Sequence, residues 1–268
     1  MSTEYNYKYE VHLHTAQGSA CGTTMGQDYV EAFKEAGYDG IIVTDHFFRG
    51  NTAIDRHLPW EDFVEQFCKG YEAAREAGDK IGLKVFFGWE ECNKGDEYLV
   101  YGLDKQWLKS HPEYKCCSMK EQYRMVKESG GLVVQAHPFR EAFYLRDINL
   151  HPLFCDAMEG YNFGNMDFCN AFAYKYCNDR HIIMTSGTDI HNVDRLKVTE
   201  AGMLFEKPLE TIEDYVKTVK SGKGFKPLIP DRFKTVDPDM MNHVPIYTYD
   251  ENEQPQETDL YKLKVKEH

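Results

Sequence analysis

Histidines and carboxylates recur in five short stretches of this sequence: HLH at 12–14, TDH at 44–46, GWEE at 88–91, AHP at 136–138 and GTDIH at 187–191. Together they supply His12, His14, Asp45, His46, Glu90, His137, Asp189 and His191, including five of the chain's 11 histidines. Neutral imidazole nitrogens and carboxylate oxygens suit borderline and harder divalent cations such as zinc, iron and manganese, and one carboxylate can bridge two ions. Each stretch alone has an ordinary explanation. His12 and His14 fit as hydrogen-bonded core histidines, Asp45 or Asp189 as turn or cap residues, Glu90 as a loop carboxylate, and His137 as a residue fixed by the proline after it. Their joint placement does not follow from those explanations. So many acids buried together would repel one another and take up protons, whereas cations neutralise them.

The elements that position these residues can be read from hydrophobic patterning. Seven apolar runs, YEVHLH, GIIVTDH, LKVFFGWE, EYLVYGLD, GLVVQAHP, CDAMEGY and HIIMTSGTD, read as strands, and the five stretches fall at strand ends. Side chains alternate along a strand, so His12 and His14 share one face while Val11 and Leu13 share the other. Helical periodicity marks GQDYVEAFKEAG, PWEDFVEQFCKGYEAAREAG, SMKEQYRMVKESGG, DFCNAFAYKYCND and PLETIEDYVKTVKSG. Runs apolar on both faces and separated by helices imply parallel strands covered by crossovers, and the length suits a closed β/α barrel. An open doubly wound sheet is the competing architecture. A barrel places its chemistry at the carboxyl ends of its strands, where these stretches lie.

Composition narrows the classes. The 268 residues, 42% hydrophobic and 28% charged, suit one large domain or two small ones with a substantial core. A net charge of −13 disfavours long nucleic acid as a partner, since phosphate backbones are held by clustered Lys and Arg. No run approaches the roughly 18 apolar residues of a membrane span, and MSTEYNYKYE lacks the apolar core of an export signal, so a cytoplasmic location is expected. Eight dispersed cysteines without a CxxC pair read as reduced thiols, with adjacent Cys116 and Cys117 short of partners for a metal or redox site. Residues 1–230 read as the barrel. Residues 231–268, rich in proline and charge with a weak strand signal at VPIYTY, read as an irregular extension packed on it.

The motifs HLHT, GYDGIIVTDH, FFGWEE, QAHP and GTDIH, in that order over about residues 7 to 230, resemble the PHP (polymerase and histidinol phosphatase) domain family. The resemblance implies a distorted seven-stranded βα barrel of TIM-like type that holds two or three divalent ions (zinc, manganese or iron) and hydrolyses phosphate esters with a metal-activated water. By the same resemblance His12, His14, Glu90 and Asp189 hold one ion, Glu90 bridges to a second held also by His137, and His46 and His191 belong to a third. The sequence departs from the family in two places. AQGSACG has Ala20 and Cys21 where the family has an acidic ligand, with Gln17 or Cys21 as substitutes; DEYLVYG has Glu97 where the family has a histidine.

Arg140 in AHPFR and Arg49 in TDHFFRGN follow strand ends, where a guanidinium can grip phosphate through two parallel hydrogen bonds. His191 or Asp45 is the expected proton donor to the leaving group. DAMEGYN supplies Glu159 and Asn162 at another strand end, with Glu159 expected to orient an imidazole, and Trp89, Tyr161 and Phe163 either wall a pocket or fill the core. These residues describe a phosphoesterase acting on a small phosphomonoester. The alternatives are a hydrolase of nucleotides or oligonucleotide ends and a non-catalytic metal-binding regulatory domain.

Overall fold

A computed structural model of the chain describes residues 4–234 and 243–258. Strand β1 (Tyr7–Leu13) leads through a compact loop to α1 (Gly26–Glu35), which buries Tyr29, Val30 and Phe33 on one stripe. Then come β2 (Gly40–Val43), α2 (Trp60–Phe67), α3 (Lys69–Ile81), β3 (Lys84–Asn93) and β4 (Asp96–Tyr101). The short α4 (Lys105–Ser110) precedes α5 (Met119–Glu128), started by a reciprocal Ser118–Glu121 capping box, and β5 (Leu132–Gln135). The chain continues through β6 (Ile148–Leu150), β7 (Ala157–Asn162), α6 (Asp167–Arg180), β8 (Met184–Gly187), β9 (Met203–Phe205), α7 (Ile212–Ser221), β10 (Phe225–Pro227), β11 (Ile246–Tyr249) and β12 (Pro255–Glu257).

Nine strands form one sheet in the order β10-β9-β1-β2-β3-β4-β5-β7-β8. The sheet bends back on itself: His14 N donates to Ile190 O (3.0 Å) and Asp189 N to His12 O (2.8 Å), joining the end of β8 to the end of β1. This near-closure excludes the open doubly wound alternative and makes a mixed α/β, barrel-like fold. All seven strands expected from patterning lie in it. Two more, β9 and β10, join at three residues each, too short for periodicity to reveal.

Three expectations need correction. The sheet is not all parallel: β4 runs antiparallel to β3 and β5, and β9 antiparallel to β1 and β10. The cause is local, because β3 and β4 are joined by Lys94 and Gly95, both at positive φ (58° and 100°), as a two-residue hairpin turn requires. The long helix expected from Pro59 onward is two helices, broken at Cys68. Finally, β1 does not alternate strictly. Its pairing to β2 shifts register between Glu10 and Leu13, so Val11 joins an apolar layer with Ile42, Phe86 and Leu99 while Leu13 packs with Ile41 and Val43 against α1.

The apolar layer containing Val11 draws side chains from most of the barrel strands and from Tyr215, Val216 and Val219 of α7. A second cluster, rich in aromatic rings, packs Phe47, Trp60, Phe63, Phe67 and Trp89 together behind the β2 and β3 ends. Trp89 therefore serves the core, as does Tyr161, stacked on Phe233 at 5.1 Å. Of the segment expected to be irregular, Ile246–Tyr249 pairs with β6 and Pro255–Glu257 with β11 in a separate three-stranded sheet. Residues 235–242 and 259–268 lie outside the described residues. Among the described residues no helix is long and apolar enough to cross a membrane.

Candidate metal centre

The strand ends bring seven of the expected residues, and Glu97 with them, into one buried cluster. Glu90 stands at its middle: Oε1 lies 3.3 Å from His12 Nε2 and 3.2 Å from His137 Nε2, and Oε2 lies 2.7 Å from His46 Nδ1 and 3.5 Å from His14 Nε2. Asp189 Oδ1 lies 3.1 Å from His14 Nε2 and 3.5 Å from His12 Nε2, with His191 Nδ1 at 3.6 Å. Glu97 reaches in from β4, 3.4 Å from His137 Nε2 and 3.7 Å from His46 Nδ1. Among the described residues, four sets have one donor atom from each residue within 4.8 Å of the others: His12–His14–Glu90, His12–His137–Asp189, His46–Glu90–Glu97 and His14–His46–His191.

The cluster fits divalent metal better than it fits itself. Glu90 Oε2 and His46 Nδ1 are both buried without a hydrogen-bond partner, although they are 2.7 Å apart. The contact is an ion pair when His46 is protonated, and the same two residues form with Glu97 a donor set that a cation would fit. His12 Nε2 and His14 Nε2 also meet at 3.1 Å. The protonation pattern is divided accordingly. Burial opposes charge on His12 and His46, yet facing carboxylates, Glu159 and Asp189 for His12 and Glu90 for His46, raise both well above the usual histidine range. His14 goes the other way: burial and the charges of His46 and His191 hold it well below. Burial penalises the charge on Glu90, but His46 and His12 overcome it and keep the carboxyl ionised. Glu97 is raised by burial and then by Glu90 beside it.

Outer contacts fix the donors. Glu159 Oε1 lies 2.9 Å from His12 Nδ1, while Oε2 accepts from His137 N and from Asn162 Nδ2, each at 2.9 Å. One carboxylate thereby orients two imidazole-bearing strand ends, the arrangement metal-bound histidines require. Glu10, on β1 below His12, accepts from Val11 N, His12 N and Thr188 N through one oxygen and so ties β1 to the end of β8. Nothing in the composition singles out Glu10; only its place two residues before His12 in a buried strand points to it. His137 and Asp189 hold positive φ (27° and 52°), a backbone conformation costing about 1–3 kcal/mol at a non-glycine residue and concentrated at functional sites.

Two expected roles are not supported by the positions found. Asp45 is buried with both oxygens committed: Thr15 N (2.6 Å) and Ser19 Oγ (2.7 Å) donate to Oδ1, and Thr15 Oγ1 (2.6 Å) to Oδ2. Ser19 in turn lies 3.1 Å from His14 Nδ1 and accepts from His46 N at 2.9 Å, so Asp45 braces two donors. Burial raises its carboxyl to about 6 despite these hydrogen bonds. Arg49 is likewise occupied: Nε donates to Glu91 Oε1 (3.2 Å) and Nη1 to Cys117 O (2.9 Å), where it neutralises a buried acid next to Glu90 in sequence but on the other face of β3. Arg140, by contrast, stands beside the cluster, 3.5 Å from Glu97, in a cleft also lined by His137 and Tyr144. Cys21 is half-buried near His191 and His46, whose hydrogen bonds outweigh burial and bring its thiol down to about 6.

Fold and cluster together define a barrel-like α/β protein with groups of donors at its strand ends able to hold cations. Solved structures that share that fold include the following two. One is a candidate metal-dependent phosphoesterase from Bifidobacterium adolescentis, at a TM-score of 0.51 and 16% identity over 80% of this chain and 96% of that one. The other is endonuclease Q, solved in complex with a 27-mer duplex substrate carrying an abasic lesion at its active site, at a TM-score of 0.54 and 14% identity. The alignment covers 82% of this chain but 58% of endonuclease Q. No protein-family model matches the sequence, and no curated protein does.

Proposed function

We propose that the chain is a metal-dependent phosphoesterase of PHP type that hydrolyses a small phosphomonoester. The observation that carries this reading is Glu90, whose two oxygens each face two imidazoles at the centre of the cluster. His12, His14, Glu90 and Asp189 would hold one ion; Glu90, Glu97 and His137 a second; His46 and His191 belong to a third. When bound, zinc, manganese or iron supplies activation of water and neutralisation of phosphate charge.

The chain's own residues do the rest. Arg140 offers a guanidinium beside the cluster to a phosphate oxygen and orients the ester. His191, at the partly exposed edge of the cluster, would give a proton to the departing alcohol when it is not holding the third ion; Asp45 would brace His14 and His46 through Ser19. Glu159 keeps His12 in one orientation. Small esters are favoured over long nucleic acid because the protein carries a net charge of −13.

The experiment measures bound metal and phosphate release from sugar phosphates, histidinol phosphate, nucleotides and duplex DNA with an abasic lesion. Zinc-, manganese- and iron-reconstituted protein are compared with Glu90→Ala and His137→Ala. Turnover of monoesters that both variants abolish is expected. Turnover of the DNA alone would replace the small-substrate reading, and stoichiometric metal without turnover would leave a binding domain.

A further inference from the structure

The β3–β4 hairpin carries two carboxylates into the cluster. Its register pairs Glu90 with Leu99 and Cys92 with Glu97. Opposed residues share a face and side chains alternate along each strand, so Glu97 lies diagonal to Glu90 on the face that holds the donors. Its two oxygens meet different neighbours: Oε1 lies 3.7 Å from His46 Nδ1, while Oε2 lies 3.4 Å from His137 Nε2 and 3.5 Å from Arg140 Nη1. Its side chain is only 14% exposed.

The donor sets differ in chemistry. His14–His46–His191 offers three nitrogens, and His12–His14–Glu90 and His12–His137–Asp189 each offer two nitrogens and one oxygen. Among the described residues only His46–Glu90–Glu97 sets two carboxylates against one imidazole. That balance holds whichever imidazole completes the position. His137 Nε2 lies 3.2 Å from Glu90 Oε1 and 3.4 Å from Glu97 Oε2, so His137 in place of His46 still leaves two oxygens to one nitrogen. Two ionised carboxylates held this close repel each other, and a cation between them removes the repulsion.

We propose that the cluster holds two kinds of ion, with manganese(II) at the oxygen-rich position built on Glu90 and Glu97 and zinc at the nitrogen-rich positions built on His12 and His14. Carboxylate oxygen suits manganese and imidazole suits zinc. Zinc outbinds manganese at most sites of nitrogen and oxygen, so the distinction is one of relative preference: the Glu97 position is where excess manganese displaces zinc first. A histidine at position 97 would give every set a nitrogen majority and erase the difference. The assignment rests on the metal-dependent reading above and adds to it the identity of the ion at one position.

The test uses the full chain loaded with zinc, challenged with excess manganese(II) and freed of unbound ions. Metal analysis of the wild type should show one equivalent of zinc replaced by one of manganese, with the broadened electron paramagnetic resonance signal of a bound ion. Glu97→His should keep the total metal but weaken manganese uptake by about tenfold or more, since changing even a group behind a ligand alters affinity about 10–100-fold. Asp96→Asn, which alters a neighbouring carboxylate outside the donor sets, should exchange as the wild type does. Thermal unfolding of each variant establishes that it is folded. Manganese that replaces zinc at every position or at none, or exchange that Glu97→His leaves unchanged, overturns the assignment and leaves the phosphoesterase reading standing. A chain that takes up no divalent metal overturns both.

Discussion

Gly187 is the position where the smallest chemical change should do the most damage. It closes β8 immediately before Thr188 and Asp189, and a methyl group added there would stand 2.6 Å from His12 Cβ and 2.8 Å from Glu159 Oε1. Ordinary contact begins at 3.4 Å, so the His12 side must retreat by 3.4 − 2.6 = 0.8 Å, and Glu159, which orients both His12 and His137, must move with it. Overpacking of this kind costs about 1–3 kcal/mol. At about 2–4 °C per kcal/mol for a chain of this size, Gly187→Ala should melt roughly 2–12 °C lower. The larger effect should be on turnover, because a displacement near 1 Å of a reacting constellation costs about 100-fold. Gly160→Ala is the control: its methyl would meet Met184 Sδ at 2.8 Å, Cγ at 3.0 Å and Cβ at 3.3 Å, all on one unbranched side chain away from the donors. It should lower stability modestly and leave activity within about threefold, well short of that 100-fold loss. If Gly187→Ala loses stability but keeps wild-type turnover and metal content, the backbone of β8 does not set the spacing of the donors and the reasoning is wrong.

Divalent metal at about 100 times its dissociation constant should stabilise the chain by about 2.7 kcal/mol per cation position, a rise of roughly 5–11 °C in calorimetry. Chelation should reverse it, and Glu90→Gln should show little of it. Asp45→Asn should lower metal affinity about 10–100-fold in titrations, through the slackened Ser19 contact, while the pH–rate profile keeps its alkaline limb; loss of that limb would restore Asp45 as a proton donor. The two arginines should separate cleanly. Arg140→Ala should raise KM at unchanged metal stoichiometry. Arg49→Ala should leave KM alone but destabilise the chain in denaturant unfolding above about pH 7, and much less at acid pH, because the Glu91 carboxyl, pushed up to about 7 by burial, takes up a proton there.

Much of the site was legible because its donors end apolar runs that only strands explain. HLH, TDH, GWEE, AHP and GTDIH converge as the barrel reading requires, and Glu97 arrives from β4 to face His137. What patterning could not reveal has physical causes. The register shift in β1 depends on its pairing with β2, which the strand's own residues do not encode. The antiparallel course of β4 follows from two residues of positive φ, whereas its apolar run reads the same in either direction. The pairing of Ile246 with Ile148 joins segments about a hundred positions apart, beyond the reach of any periodicity. Asp45 and Arg49 carry the right chemistry beside the right strand ends, but hydrogen bonds from Thr15 and Ser19, and to Glu91, have already claimed them.

The donors span positions 12 to 191, and this has a bearing on the order of events in a growing polypeptide. A ribosome that has released only the first half of the barrel has made His12, His14, His46 and Glu90 but not the aspartate and histidine that follow β8. Of the four donor sets, His12–His14–Glu90 and His46–Glu90–Glu97 are complete by residue 97, whereas the two that need Asp189 or His191 are incomplete until nearly three quarters of the 268 residues have emerged. An ion that needs Asp189 or His191 would therefore load late, onto a barrel already formed.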